Sequence, residues 1–246
     1  MSKNPAPRFL DGLKAMGSRT SLLIATGALV LLAAAIVVIV VLATRPPQVV
    51  VMNAEDLIRQ ADAIGFSPAT SVGQGLVELA PASARLPDPS PDLLPVGTKA
   101  PDFQLKTVMG ESVKLSSFRG KTVLLEFFAT WCPHCQAEAP YVMKIFQALP
   151  PVGFEVIGIN VDSEDPASVF AFDHYFGIPY RTLLDPGGRP GGYTRPGTPG
   201  PTTRAYKISI LPAFYVIDPN GRVAWRADGE RPTVQIVQEL TKASGP

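Results

Sequence analysis

The sequence predicts an α/β domain built on a mixed central sheet, preceded by one transmembrane helix and a proline-rich linker. Three observations carry this. Residues 20–44 hold no charged side chain, six prolines crowd into residues 67–95, and from Val96 onward short apolar runs alternate with helical patterns. The chain accordingly divides into a tail (residues 1–19), an anchor (20–44), a linker (45–95) and a folded domain (96–246).

Residues 22–42 are almost entirely Leu, Ile, Val and Ala. As a helix, the run 20–44 would reach roughly 37 Å at about 1.5 Å per residue, enough for a hydrocarbon core of about 30 Å. Lys3, Arg8, Lys14 and Arg19 precede it against a single acid, Asp11, an asymmetry that keeps the N-terminus cytoplasmic and sends the domain across. A cleaved signal peptide is the rival. Val41 and Ala43 fit its small-residue pattern, but a signal's apolar core is typically about 7–15 residues. Both readings place the domain outside the cytoplasm, in an oxidising compartment; the expected location is the cell membrane, single-pass. In the linker, residues 53–64 suit a short amphipathic helix capped at Asn53, with Leu57, Ala61 and Ile64 apolar. The prolines that follow read as a semi-extended spacer.

Within the domain, residues 103–105 and 113–115 flank Met109-Gly110 and predict a hairpin. Residues 123–128 are apolar except for Glu126, the pattern of a buried central strand. A helix is expected from the cysteines to about Leu149, a strand over 154–161, and a helix over 167–176 introduced by Ser163 and Pro166. A second hairpin turns at Pro219-Asn220-Gly221, between 213–218 and 222–226, and Thr233 is expected to cap a last helix to about Lys242. Between residues 186 and 201, 11 of 16 positions are Gly or Pro, with Arg189, Tyr193 and Arg195 among them. Such a run makes neither a helix nor an interior strand, and reads as a surface insertion or a flap over a substrate.

Charge excludes one class of partner. The chain carries 22 basic and 21 acidic residues, with no basic stripe, so nucleic acid is not expected. Two cysteines, Cys132 and Cys135, are the whole complement. They make no disulfide framework and must be a redox pair, half of a metal site, or an accident. Their place decides between these. Trp131-Cys132-Pro133-His134-Cys135 follows a buried strand and opens a helix, where unpaired N–H groups and the positive end of the helix dipole favour a thiolate. Cys132, the more exposed, would attack, and Cys135, one turn inside, would resolve. His134 would add to the stabilisation of the Cys132 thiolate, which is expected to titrate below about 7.

The segments Val96-Gly97-x-x-Ala100-Pro101-Asp102-Phe103, Gly120-Lys121 and Glu126-Phe127-Phe128-Ala129-Thr130-Trp131-Cys132-Pro133-His134-Cys135-x-x-Glu138-x-Pro140 together resemble the redoxin branch of the thioredoxin superfamily. They are similar to the membrane-anchored TlpA/ResA group of thiol–disulfide oxidoreductases. The resemblance implies a thioredoxin fold, and catalysis by Cys132 and Cys135 with Glu126 as the buried carboxylate accepting the resolving thiol's proton. It implies that Pro140 kinks the active-site helix. It also implies a substrate surface of Trp131, Leu211 and a cis Pro212, with Pro133 and His134 tuning the pair. No cofactor beyond the Cys132–Cys135 disulfide is implied. Partners would be protein thiols or disulfides and a membrane or extracytoplasmic electron donor or acceptor, for example in apocytochrome maturation. The Pro-His dipeptide departs toward the oxidant DsbA, so the direction of exchange stays open.

Other chemistries fit less well. A peroxiredoxin-like thiol peroxidase needs Pro-x-x-x-Thr/Ser-x-x-Cys, and those positions hold Leu125 and Ala129. A metal site, copper delivery included, would have Cys132, Cys135, His134 and a distant His174 to draw on, a poor ligand set. No metal is expected.

Overall fold

The computed structural model describes residues 91–161, 165–187 and 198–245, with isolated helical, exposed positions at 34–36, 59 and 63. The expected anchor and the helix at 53–64 therefore lie outside the described residues apart from those positions, as do residues 188–197 of the Gly/Pro insertion. Among the described residues no helix is long and apolar enough to cross a membrane. The domain belongs to the second of two units, Pro47–Pro246.

Seven strands form one sheet in the order β2-β1-β5-β4-β3-β6-β7. The predicted first hairpin is β1 (Gln104–Thr107) and β2 (Ser112–Lys114), followed by a 3-10 turn at Leu115–Phe118. β3 (Thr122–Phe128) is buried along its whole length, as its apolar run requires, and Glu126 is buried with it. It lies parallel to β4 (Phe154–Asn160) and antiparallel to β6 (Ala213–Ile217). β4 is parallel to β5 (Arg181–Leu184), which is antiparallel to β1. β6 pairs with β7 (Val223–Asp228) across the predicted turn, where Gly221 takes φ +78°. A side chain at Gly221 would also meet the Arg119 guanidinium, which can swing aside, so it is the positive φ that calls for glycine there.

Among the described residues of the domain, four helices accompany the strands: α1 (Pro133–Ala148), α2 (Pro166–Phe176), α3 (Pro201–Ala205) and α4 (Thr233–Ala243). At α2 a cap is found that was not expected, and at α4 the expected cap is corrected. The carboxylate of Asp165 caps α2, accepting from the Ala167 amide at 3.0 Å, because a carboxylate directly before Pro166 reaches the free N–H groups; Ser163 lies outside the described residues. Thr233 is the first residue of α4 and makes no capping bond, since Pro232 holds the cap position. β5 and α3 are additions to the predicted elements. Four residues are too few to show a period, and α3 begins on the last proline of the insertion.

The core forms two clusters. Leu124, Val156, Phe214 and Val216 pack with Val142 and Ile145 of α1 and Ile236 and Leu240 of α4. The larger cluster gathers Phe127, Ile157, Leu183, Tyr215, Phe172 and both cysteines. It includes Leu93, only 1% exposed, so the fold begins ahead of Val96. The Leu94 amide donates to the Tyr215 hydroxyl (3.0 Å), which donates to the Tyr206 carbonyl (2.7 Å), and the Tyr206 hydroxyl reaches the Pro101 carbonyl (2.8 Å).

Asp185, fully buried at the end of β5, closes the base of the insertion. Its carboxylate accepts from the Thr202 amide (3.1 Å), the Thr203 amide (2.7 Å) and the Thr203 hydroxyl (2.7 Å). Removing it strands buried donors, so Asp185→Ala is expected to cost about 2–3 kcal/mol, with Asn recovering part. Urea unfolding would show a lowered midpoint with an unchanged slope.

Candidate active site

The site is made where β3 ends. Ala129, Thr130 and Trp131 turn the chain out of the sheet, the Cys132 amide donating back to the Ala129 carbonyl at 3.1 Å. Pro133 is the first helical residue of α1, where its missing N–H leaves no bond unmade. Cys132 is the N-cap, and its Sγ accepts from the Cys135 amide at 3.4 Å. Gln136, buried and outside the predicted set, braces the turn by donating from Nε2 to the Thr130 carbonyl (2.7 Å). Its signal in the sequence was only its position one turn into the helix.

The two sulfurs are not joined, and their surroundings differ. Cys132 is 5% exposed and Cys135 is completely buried. The Cys132 thiol is pulled down to about 7, first by the hydrogen bond from the Cys135 thiol, against the cost of burial, and then by the amides of Cys135 and His134 and the His134 charge. This is the expected direction with a slightly smaller shift. Burial pushes the Cys135 thiol up, and its bond to Cys132 adds to the rise.

His134 is not turned onto the sulfur alone. Its Nδ1 lies 2.6 Å from the Glu230 carboxylate, in the loop between β7 and α4, and the ring is largely exposed. The same side chain therefore has an acidic partner at the rim of the site as well as Cys132 beside it. Spacing in the sequence gave no hint of Glu230, which lies 96 residues away.

Glu126 is 3% exposed and accepts from the Tyr180 hydroxyl at 3.0 Å. Burial raises its carboxyl to about 7, the Tyr180 bond opposing. Glu138 of α1 is fully buried, neither carboxylate oxygen has a hydrogen-bond partner, and burial with the nearby Glu126 and Glu230 charges holds it well above the usual carboxylate range. Pro140 lies inside α1, as expected. On the other side Phe127 pairs with Ala213, so Pro212 stands level with the end of β3, and the Leu211–Pro212 peptide is cis. Pro212 is buried, while Leu211 and Trp131 are half-buried against the core. Cys132, Cys135, Glu126, Trp131, Pro133, His134, Leu211 and Pro212 thus converge on one end of the sheet. His174 stays apart, stacked on Phe170 of its own helix. Among the described residues no group of three His, Cys, Asp or Glu could hold a metal.

A low-lying outer thiol beside a buried inner one is the equipment of dithiol exchange, and with this sheet it defines a thioredoxin-fold thiol–disulfide oxidoreductase. The AhpC/TSA family model matches residues 96–226, more than half of the chain, and the chain belongs to that family as a ResA-like redoxin. It is 34% identical over 128 residues to the thiol–disulfide oxidoreductase ResA of Geobacillus kaustophilus, covering 52% of this chain and 66% of that protein, just short of two thirds of its length. With ResA of Geobacillus thermodenitrificans it shares 31% identity over 145 residues, 59% of this chain and 76% of the relative. Among solved structures, one from Chlorobium tepidum described as a thiol:disulfide interchange protein DsbE aligns with TM-score 0.52 and 32% identity, over 62% of this chain and 99% of that one.

Two measurements follow. Alkylation of the reduced protein should rise with a midpoint near pH 7 for Cys132, while Cys135 stays unmodified until strongly alkaline pH. Glu126 titrates near 7 in the folded chain against an ordinary 4.5, so the fold binds the extra proton and loses stability as pH rises between those values. That loss is about 3 kcal/mol, and Glu126→Gln removes it. The variant should gain on wild type in urea midpoint between pH 4.5 and pH 8.

Proposed function

We propose that the chain is a membrane-anchored, extracytoplasmic enzyme that exchanges disulfides with protein clients through Cys132-Pro133-His134-Cys135. The observation that carries the reading is the asymmetry of the pair: a Cys132 thiol drawn down to about 7 at a helix N-terminus beside a fully buried Cys135. Only such a pair divides attack from resolution. The Cys132 thiolate forms a bond to one sulfur of a client disulfide and the other client sulfur leaves as thiolate. Cys135 then gives its proton to the Glu126 carboxylate, bonds to Cys132 Sγ, and the second client thiolate departs. Two electrons pass to the client and the pair is left oxidised; run backwards, the steps oxidise a dithiol. No bound cofactor enters the sequence, since the sulfurs carry the electrons. Trp131, Leu211 and Pro212 border the sulfur and supply the surface against which a client backbone lies. An electron partner at the membrane or outside it restores the pair, and an apocytochrome disulfide is one client of the right chemistry.

The compartment rests on the charge-free run 20–44 and the basic residues before it. The domain should pellet with membranes and be cleaved by protease added outside intact spheroplasts; protection there would overturn the topology.

Roles within the pair are separable. Cys132→Ser should abolish exchange, and Cys135→Ser should accumulate mixed disulfides with clients, because attack survives and resolution does not. Equilibration with glutathione is expected to give a potential above about −230 mV, in keeping with a stabilised Cys132 thiolate; a value below about −260 mV would overturn that expectation.

A further inference from the structure

The partner of Glu126 comes from an element the sequence did not announce. Glu126 on β3 stands opposite Gly158 on β4, and Gly158 stands opposite Thr182 on β5. The three share one row across one face of the sheet, and the middle position has no side chain. A Cβ at Gly158 would lie 3.3 Å from the Phe128 ring, 3.5 Å from the Tyr180 ring and 3.6 Å from the Thr182 hydroxyl. That space is therefore already filled by the Tyr180 ring, which crosses over β4 and places its hydroxyl 3.0 Å from Glu126 Oε2. The ring is fixed in turn by Phe146 of α1, with centroids 5.9 Å apart. Its outer side lines a cleft of about 520 Å³ together with Val108, Met109, Asp173 and Ile178.

A buried carboxylate that serves as a base must be held in one orientation, and a single-minded donor does that better than water. Resting on the reading of Glu126 as the base for Cys135, we propose that Tyr180 is a positioning residue for the resolving step, its hydroxyl holding the Glu126 carboxylate in the orientation from which it takes the Cys135 proton. Tyr180 touches neither sulfur and transfers nothing itself. The proton leaves Cys135 Sγ for Glu126, the Cys132–Cys135 bond forms, and the Cys132–client bond breaks toward the client thiolate. The titratable groups facing Glu126 are Cys135 and Glu138 on α1, Tyr180 ahead of β5, and Asp173 on α2; β6 presents only Phe214 opposite it. The Tyr180 bond favours the ionised carboxylate, so its loss moves the titration of Glu126 upward.

The test uses the full-length reduced protein and a small aromatic disulfide whose released thiolate absorbs visible light. Stopped-flow mixing then shows two equal releases, the first from attack by Cys132 and the second from resolution by Cys135. Absence of a second release in wild type would refute the exchange reading itself, before Tyr180 is considered. Tyr180→Phe, which keeps the ring, should leave the first phase within about twofold and slow the second about tenfold at pH 7, the scale of one hydrogen bond to a charged group. The midpoint of the second phase should also move to higher pH. Glu126→Gln should slow the second phase, and adding Tyr180→Phe to it should change nothing further, because the hydroxyl acts through the carboxylate. Equal slowing by Tyr180→Phe on the Glu126→Gln background, loss of both phases together, or an unmoved second phase would each overturn the proposal.

Discussion

The handing of charge from a buried strand to the open end of a helix governs this domain. β3 is buried along its full length and delivers the chain to the N-terminus of α1, where the backbone still has N–H groups without partners. Cys132 occupies the one position at which a sulfur is offered those groups as the cap. Three residues on, the helix has carried Cys135 inside, where the cost of burying a charge outweighs what the Ala129 backbone offers it. The same short turn therefore makes one thiol acidic and the other inert, and the division of labour follows from backbone geometry before any side chain contributes.

Acids near the pair do a different job. Glu126 and Glu138 are buried on β3 and α1; burial raises both, and the Glu126 charge adds to the rise at Glu138. A carboxyl raised to about 7, as that of Glu126 is, accepts and returns a proton at physiological pH, whereas ordinary surface carboxylates stay ionised. Glu230, by contrast, sits at the rim and pairs with His134, tempering the very residue that distinguishes this motif.

Much of this was legible in the sequence because it depends on local pattern. The run around Glu126, the Trp-Cys-x-x-Cys turn, and the two hairpins with their glycines all state their geometry over a few adjacent residues. Leu211-Pro212 was legible through the resemblance, and its place beside β3 follows from the Phe127–Ala213 register. What escaped was set by pairing over distance. β5 is four residues long, so its burial between β1 and β4 leaves no period to read. Tyr180 meets Glu126 across 54 residues, and Glu230 meets His134 across 96. Caps escaped for a smaller reason: Asp165 and Ser163 are both good caps by type, and only the start of the helix at Pro166 chooses between them.

The entry of the chain into the domain has a mechanical side. Leu93 is sunk in the core and the Leu94 amide is tied to Tyr215 on β6, the strand that begins directly after Pro212. Any pull arriving along the linker is borne at that point, before it reaches β1. A shortened version beginning at Val96, where the family match begins, would lose the buried Leu93 side chain and leave a hole in the larger core cluster. At its start the folding unit reaches three residues ahead of the recognisable family segment, and at its end it runs on beyond residue 226 through α4, whose Ile236 and Leu240 are part of the core.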